Sequence, residues 1–270
     1  MSLPQRELPV PGARLRYRDD GAGRAVVLVH GWTLDLDMWE PQAALAAHLR
    51  VVRYDRRGFG LSTGLASLSD DVADLRLLIV ALRIRSPLLV GMSQGARVVL
   101  EFAARHPGVA RGLLLDGPPP LSAGETVAGS PDLPMQEFRQ IAARDGLPAF
   151  RQHWRAHPLA RLMTADPQAH ALLARMIDRY PGHDLLASVP PSREAVDMRL
   201  LAQVTVPTLV VNGARDTEAR RRAGLALRAS LPAAEHVLVP GAAHLPNLDA
   251  PDAYNLLMTE FARRHLPAAA

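Results

Sequence analysis

The chain has 270 residues, a formal net charge of +4, and 48% hydrophobic against 21% charged residues. This composition predicts one soluble domain with a sizeable core and room for an insertion. The chain contains no cysteine, and all 31 of its basic residues are arginine. These two facts exclude disulfides, thiolate nucleophiles, cysteine-ligated metals, lysine Schiff bases and the lysine of a P-loop.

The arginines are dispersed along the chain rather than concentrated in one tract. The densest run, at residues 220–222, is expected on a solvated helix face rather than on a track for nucleic acid. Residues 1–18 contain no apolar stretch of signal-peptide length, and no apolar run is long enough to span a membrane. We therefore expect a cytoplasmic protein that binds neither nucleic acid nor membrane. Whether it forms a homo-oligomer is left open.

Short, unbroken apolar runs recur and predict strands that are covered on both faces, as in a parallel sheet. The runs are residues 26–29, 51–52, 88–90, 113–115, 209–211 and 237–239, with a leading antiparallel strand at 15–18. Helical patterns fill most of the intervals, at residues 38–49, 70–82 (after Ser69 as N-cap), 96–105, 217–231 and 252–264. This alternation predicts an α/β fold with a doubly wound, mostly parallel sheet.

One interval, residues 116–207, has no convincing strand pattern but carries apolar residues at helical spacing. We interpret it as a helical cap, which divides the chain into a core of residues 1–117 and 206–270 and a cap of residues 118–205. A separately packed second domain is the alternative, but so few large apolar residues would give it a thin core. Three apolar cap residues are candidates for lining a substrate pocket: Phe138, Trp154 and Met176.

The motif Gly91-Met92-Ser93-Gln94-Gly95 follows a predicted strand and precedes a predicted helix. G-x-S-x-G in this setting is typical of a nucleophile on a sharp turn, where the glycines let neighbouring backbone pass without a Cβ clash. The dipole of the following helix favours the negative charge that develops there. A glycine-lined turn with an incidental serine is the alternative, and the strand–turn–helix context disfavours it. Ser93 is therefore the candidate nucleophile.

A serine hydroxyl needs a general base and a carboxylate that orients the base. Asp216 and His244 each follow a predicted strand, at the sheet edge where α/β proteins bind ligands. The order Ser93, Asp216, His244 is that of α/β-hydrolases. Asp116 also ends an apolar run and is the rival acid, but the Gly-x-x-Asp setting favours Asp216. The structural alternative is that Asp216 only caps the helix that follows it.

Acyl transfer also needs two amide donors aimed at the developing oxyanion. The amide of Gln94, directly after the candidate nucleophile, is one candidate. The amide of Trp32 is the other, since His30-Gly31-Trp32 follows the first parallel strand and Gly31 permits close approach. We interpret His30 as a positioning residue, because His244 already serves as the base.

Taken together, these motifs resemble the α/β-hydrolase superfamily. Residues 30–40 and 55–62 resemble its aryl-esterase and cofactor-free haloperoxidase (perhydrolase) group, and residues 241–247 with the compact cap are similar to 3-oxoadipate enol-lactonases. The resemblance covers most of the chain outside the cap. It implies hydrolysis of an ester or lactone through a serine acyl-enzyme, with no metal. Perhydrolases of this group usually carry proline directly after His-Gly-Trp, and Thr33 at that position argues against efficient peracid chemistry.

We therefore expect a hydrolase that cleaves a small carboxylic ester or lactone, with neither a cofactor nor a metal. His153 and His157 lie at helical spacing in the cap, but they lack the glutamate of H-E-x-x-H and are expected on a solvated face. Two alternatives stay open. One is a C–C bond hydrolase of dienone acids, whose carboxylate Arg139, Arg151 or Arg155 would bind. The other is a slow, hydrolase-fold ligand receptor.

Overall fold

The structure is a computed structural model that describes residues 6–120, 133–187 and 201–266. Within these ranges an 8-stranded sheet has the order β1-β2-β4-β3-β5-β6-β7-β8. Every pair from β4 to β8 in this order is parallel, so the predicted mostly parallel sheet is confirmed. The strands are β1 Arg6–Val10, β2 Ala13–Asp20, β3 Ala25–Val29, β4 Arg50–Tyr54, β5 Leu88–Met92, β6 Gly112–Asp116, β7 Thr208–Gly213 and β8 Ala234–Val239.

The antiparallel edge of the sheet is formed by the first two strands. Strand β1 pairs with β2, and β2 pairs with β4, both antiparallel. The leading strand predicted at residues 15–18 lies inside β2. No sequence pattern predicts β1, because most of its residues are exposed or only half-buried, as is typical of a short edge strand.

Burial on both faces of the sheet explains the unbroken apolar runs. In β3, Val26 and Leu28 pack into the apolar core on one face, whereas Val27 and Val29 pack into the core on the other. Successive side chains of a strand point to opposite faces, so a strand covered on both sides needs apolar residues at every position. The doubly wound arrangement is confirmed.

The helices lie close to their predicted positions. In the described ranges no helix combines the length and apolarity that crossing a lipid bilayer would require. The α-helices are α1 Leu68–Ala81, α2 Gln94–Arg105, α3 Met135–Ala156, α4 Pro167–Arg179, α5 His183–Leu186, α6 Glu218–Ser230, α7 Pro246–Asp249 and α8 Pro251–His265.

Two local predictions need correction. The segment predicted as a helix at residues 38–49 is a 3₁₀ segment, Leu36–Ala47, which contains Pro41. Proline has no N–H for the hydrogen-bond ladder of an α-helix, so its position inside the segment disfavours a regular α-helix. Helix α1 is capped by Ser67, whose Oγ accepts from Asp70 N at 3.3 Å, and not by Ser69.

Helices α3, α4 and α5 lie between β6 and β7 in the chain, in the segment predicted as a cap. Helix α3 is interrupted at Gly146, where φ is +84°. Phe138 and Trp154 from α3 belong to the same apolar core as Val26 of the sheet. Arg179 at the end of α4 also donates to Asp35 Oδ2 at 2.7 Å, on the loop after β3. The described helices of this segment therefore share an apolar core with the sheet.

Candidate active site

Ser93 occupies the sharp turn between β5 and α2. Its φ and ψ are +51° and −112°, a conformation that residues other than glycine rarely adopt. Its backbone N–H donates to Asp116 O at 2.7 Å, on the neighbouring strand. The turn therefore holds the Ser93 side chain at the carboxyl edge of the sheet, in front of the first turn of α2.

The two glycines of the motif are needed because backbone passes directly over them. A Cβ at Gly91 would lie 2.2 Å from Gly95 O, and a Cβ at Gly95 would lie 2.2 Å from Val29 O. These distances are far below van der Waals contact, and the obstructing atoms are backbone. The predicted reason for both glycines is therefore borne out by the packing.

Replacing Gly95 with alanine is expected to lower the free energy of unfolding by roughly 3 kcal/mol or more, because backbone has to move. Gly108→Ala is the matched control, since no atom lies within 4 Å of its added Cβ, and only the positive φ of +80° opposes it. That strain is worth about 1 kcal/mol. Urea unfolding of the two variants measures the difference. Equal losses would contradict the role given to the close approach.

His244 and Asp216 are joined by a buried hydrogen bond. His244 Nδ1 lies 3.0 Å from Asp216 Oδ2, and the two residues are 3% and 5% exposed. Thr217 N also donates to Asp216 Oδ1 at 2.8 Å. Burial alone would raise the pKa of Asp216, but the charge and hydrogen bond of His244, followed by the charge of Arg220, lower it. An ionised Asp216 holds the imidazole proton on Nδ1, which leaves Nε2 as an acceptor.

Gly117 provides the space for the His244 ring. Its φ is +51°, and a Cβ there would lie 2.8 Å from His244 Cε1. The ring therefore lies against bare backbone at the end of β6. Sequence reasoning missed this residue, whose signal is a glycine directly after the apolar run that ends at Asp116.

The main departure from the sequence-based prediction is Arg220. We expected residues 220–222 on a solvated helix face, but Arg220 is only 2% exposed. Its Nη1 donates to Ser93 Oγ at 3.3 Å and to Gly117 O at 3.4 Å. Arg222, in contrast, is exposed and pairs with Glu218. One helix turn thus carries one arginine into the site and another into solvent, because their directions from the helix axis differ by about 200°.

Ser93 and His244 line the same cavity at the carboxyl edge of the sheet. In the described ranges no hydrogen bond joins these two side chains, and the one on Ser93 Oγ comes from Arg220. A guanidinium can only donate, so Ser93 Oγ accepts from it and its own proton stays available for another acceptor. Catalytic hydrogen bonds are often long or misaligned without substrate.

The cavity has a volume of about 370 Å³, a figure that includes the solvent space at its open mouth. Of the three predicted lining residues, Trp154 lines it. Phe138 and Met176 are not among its lining residues and are buried in the apolar core, where Phe138 stacks on Trp32. The other apolar lining residues include Trp32, Leu34, Leu159, Leu173 and Leu245.

The two candidate oxyanion residues lie on opposite sides of Ser93 in the sequence, and Trp32 lines the same cavity as Ser93. Gln94 is the first residue of α2, so its amide has no partner in the helix's own ladder. The Trp32 ring is fixed by a 2.8 Å hydrogen bond from Nε1 to Asp184 Oδ2, in α5. His30 Nδ1 lies 2.8 Å from Gly31 O, and its Nε2 accepts from Arg56 N at 2.9 Å.

Both ring nitrogens of His30 contact backbone atoms, as expected for a residue that positions the loop. Burial, and then the charge of Arg56, lowers the pKa of His30 well below its usual value, so the ring is neutral. A neutral ring donates through one nitrogen and accepts through the other, which matches the two contacts of His30.

Thr33, three residues later, has φ +62°. Proline is locked near −65°, so this loop cannot carry the proline that the perhydrolase pattern usually has.

Behind the site, Arg56 links the candidate oxyanion residue to a buried carboxyl. Its Nη2 donates to Gln94 Oε1, and its Nε lies 3.7 Å from Asp71 Oδ2. The Gln94 side chain is therefore directed at Arg56. Burial outweighs the attraction of Arg56 and raises the pKa of Asp71 to about 7.

The Asp71 carboxyl makes stability depend on pH. The native state keeps a proton that the unfolded state releases near its ordinary pKa of about 4, so the free energy of unfolding falls by about 1.4 kcal/mol per pH unit between pH 4 and 7. Asp71→Asn does not titrate and is expected to gain stability relative to the wild type as the pH rises from 5 to 7. Urea unfolding at several pH values measures this, with the exposed Asp252→Asn as control. Parallel wild-type and Asp71→Asn curves would contradict the shift.

Asp116, the rival acid, is fully buried at the end of β6. Burial raises the pKa of the Asp116 carboxyl well above its usual range, which favours the protonated form. Both of the hydrogen bonds that join the His244 ring to a carboxylate go to Asp216. The geometry therefore favours Asp216 as the partner of His244.

The charged and titratable residues predicted in the cap lie away from the cavity. Arg139 and Arg151 donate to the backbone carbonyls of Asp184 and Tyr180, and Arg155 pairs with Asp178. His153 Nδ1 contacts Ala149 O, and His157 stacks on Trp154. Within the described ranges no group of three or more His, Asp or Glu residues could hold a metal ion.

A model described as the alpha/beta hydrolase family matches residues 26–255. The chain belongs to this family. The hydrolase is 29% identical over 259 residues to the pimeloyl-[acyl-carrier protein] methyl ester esterase of Pectobacterium atrosepticum, covering 93% of this chain and 99% of that one. It is 32% identical over 134 residues to the non-heme haloperoxidase of Rhodococcus erythropolis, covering 47% of this chain and 48% of that one.

Among solved structures, the hydrolase is similar to the enol-lactonase from Burkholderia xenovorans LB400, with a TM-score of 0.80 and 26% sequence identity. This match covers 96% of the hydrolase and 100% of the enol-lactonase. The resemblance to α/β-hydrolases, haloperoxidases and enol-lactonases that the motifs indicated is therefore confirmed. The comparisons identify an alpha/beta hydrolase that resembles esterases and lactonases.

Proposed function

We propose that the protein is a serine hydrolase that cleaves a small carboxylic ester or lactone, with Ser93 as nucleophile, His244 as base and Asp216 as the acid that orients it. The observation that carries the proposal is a strained serine lining the same cavity as a histidine that is hydrogen-bonded to a buried, ionised aspartate. The similarity to an esterase and an enol-lactonase over nearly the whole chain supports it.

In the proposed reaction, the Ser93 hydroxyl attacks the carbonyl carbon while His244 Nε2 takes its proton. Asp216 stabilises the imidazolium that forms. The amides of Trp32 and Gln94 bind the oxyanion of the tetrahedral intermediate. His244 then returns the proton to the leaving alcohol, and the same ring activates a water molecule that hydrolyses the acyl-enzyme. Each step uses only side chains and amides of this chain, so the proposal includes no cofactor and no metal.

We also propose the division of the chain into a core of residues 1–117 and 206–270 and a cap of residues 118–205. Trp154, Leu159 and Leu173 come from the cap and line the cavity together with core residues. An apolar lining of this kind fits a small acyl group and excludes water from the reacting atoms.

A substrate panel combined with labelling of Ser93 tests the proposal. We expect multiple turnovers on 4-nitrophenyl esters of short acids or on an enol-lactone, and labelling of Ser93 by a fluorophosphonate. Turnover only on a ring-cleavage dienone acid would instead identify a C–C bond hydrolase. Labelling without repeated turnover would identify a ligand receptor. An absence of both labelling and turnover would overturn the assignment of Ser93.

A further inference from the structure

The side chain of Trp32 is held by the cap, although Trp32 itself belongs to the loop after β3. Its indole Nε1 donates to Asp184 Oδ2 at 2.8 Å, and the Tyr180 hydroxyl donates to Oδ1 of the same carboxylate. The indole also lies 5.0–6.2 Å, between ring centroids, from four aromatic side chains of the cap: Phe138, Phe150, Trp154 and Tyr180. Both partners of the indole hydrogen bond are buried, with Trp32 6% and Asp184 4% exposed.

Aromatic packing and the hydrogen bond constrain the indole in different ways. Burial of apolar surface is non-directional, whereas a hydrogen bond weakens steeply as its angle departs from linear. The bond to Asp184 therefore fixes the direction of the Trp32 ring among its aromatic neighbours. Without that acceptor, the buried indole N–H would cost about 1–3 kcal/mol, and a shift of the ring toward another acceptor would relieve the cost.

A shift of the ring would also move the backbone of Trp32, because the loop is strained at the next residue. Thr33 has φ +62°, a conformation that is unfavourable for a β-branched residue and persists only where the surrounding structure holds it. On the far side of Thr33, Leu36 N donates to Asp55 Oδ1 at 2.7 Å, which fixes the loop to the sheet. The bond to Asp184 holds the loop on the near side, at Trp32.

We propose that Asp184 is a positioning residue for catalysis, whose hydrogen bond to the indole of Trp32 keeps the Trp32 amide in place in the oxyanion hole. This inference rests on the proposed function, because the proposed mechanism uses that amide. Asp184 is not among the described residues that line the cavity, so it acts through Trp32 and not on the substrate. The cap thereby contributes to the rate of the reaction as well as to the lining of the pocket.

Asp184→Ala removes the acceptor and is expected to slow the chemical steps. Deleting an oxyanion donor costs about 10²- to 10³-fold in kcat, and a displaced donor should cost less. We therefore expect kcat/KM for a 4-nitrophenyl ester to fall about 10- to 100-fold.

The thionoester of the same acid and alcohol reveals the cause of the loss. In its tetrahedral intermediate the charge develops on sulfur, which is a weak acceptor of hydrogen bonds, so its hydrolysis depends less on the two amides. The ratio of kcat/KM for the ester to kcat/KM for the thionoester should therefore fall about 5- to 50-fold in Asp184→Ala. A purely structural role for Asp184 would lower both values in proportion and leave the ratio unchanged.

Three further variants assign the effect to the hydrogen bond. Asp184→Asn keeps an oxygen that accepts from the indole, so it should retain kcat/KM for the ester within about fivefold of the wild type. Trp32→Phe removes the donor and should also lower the ratio, and in that background Asp184→Ala should cost less than about twofold more. Asp178→Ala is the control, since Asp178 is an exposed carboxylate of the cap that pairs with Arg155. It should leave the ratio as in the wild type.

A wild-type ratio of ester to thionoester in Trp32→Phe and in a folded Asp184→Ala would overturn the inference, whatever happens to the absolute rates. Trp32→Phe alone decides if circular dichroism shows that Asp184→Ala is unfolded. Effects of the two substitutions that multiply independently, or a loss in Asp184→Asn as large as that in Asp184→Ala, would overturn it as well.

Failure of this inference is distinguishable from failure of the proposed function. If Ser93 is labelled by a fluorophosphonate and the wild type turns over esters, but the ratio does not respond to the variants, only the role of Asp184 is overturned. If neither labelling nor turnover occurs on any ester or lactone, the proposed function fails and the role of Asp184 fails with it.

Discussion

Ser93→Ala is expected to lower kcat for ester hydrolysis by about 10⁴- to 10⁶-fold, because no other group on this chain would form the acyl-enzyme. The oxyanion amides and the cavity remain, so a residual rate above that in water is expected. The melting temperature should change little, since alanine fits the space of serine and retains the backbone strain at φ +51°. Initial rates on a 4-nitrophenyl ester, with circular dichroism as a folding check, measure both quantities.

The control for this variant is Ser230→Ala. Ser230 is exposed at the end of α6, where its Oγ donates to Ala226 O at 2.9 Å. Ser230→Ala should retain the wild-type kcat and lose less than about 0.5 kcal/mol of unfolding free energy, which is usual for a surface substitution. Wild-type esterase activity in a folded Ser93→Ala variant would show that the nucleophile is elsewhere.

Asp216→Asn is expected to lower kcat by about 10⁴-fold with the fold intact. The asparagine amide would donate to His244 Nδ1, so the ring proton would move to Nε2. A protonated Nε2 cannot accept the proton of Ser93, and the base is lost although every heavy atom stays in place. A pH–rate profile and crystal coordinates of the variant together measure the effect and its cause.

The matched variant is Asp116→Asn, at the rival acid. Asp116 is buried, and its carboxyl makes none of the hydrogen bonds given for the His244 ring. An amide of the same shape at this position should therefore lower kcat by less than about tenfold, a minor effect beside the loss of an orienting carboxylate. The reverse order, with a large loss at Asp116 and a small one at Asp216, would show that the acid is on β6 and not after β7.

The parts of the site that the sequence predicts follow from local rules. Ser93 is recognised because G-x-S-x-G between a strand and a helix forces a strained turn, which the observed φ of +51° matches. Asp216 and His244 are recognised because they directly follow strands, and the carboxyl ends of parallel strands meet at one edge. Such patterns depend on neighbours in the chain, so they can be read without coordinates.

The errors involve side-chain direction and helix type. Phe138 and Met176 were predicted to line the pocket, but helical spacing only indicates which face is buried and not whether it contacts core or cavity. The 3₁₀ segment Leu36–Ala47 has the apolar spacing of an α-helix. Pro41 within it is the sequence feature that disfavours a regular α-helix.

Arg220 is the clearest case of a residue whose burial the sequence pattern does not predict. In a run of three arginines the general expectation is a solvated face, since buried arginine is rare. Its burial depends on the angle at which α6 leaves Asp216 and on the bare backbone of Gly117 opposite it, contacts that join residues about a hundred positions apart. The alternation of strands and helices, the nucleophile turn and the order of the three candidate catalytic residues are local properties that the sequence predicts. The position of Arg220 beside Ser93 and Gly117 is set by packing between distant segments, which no local pattern encodes.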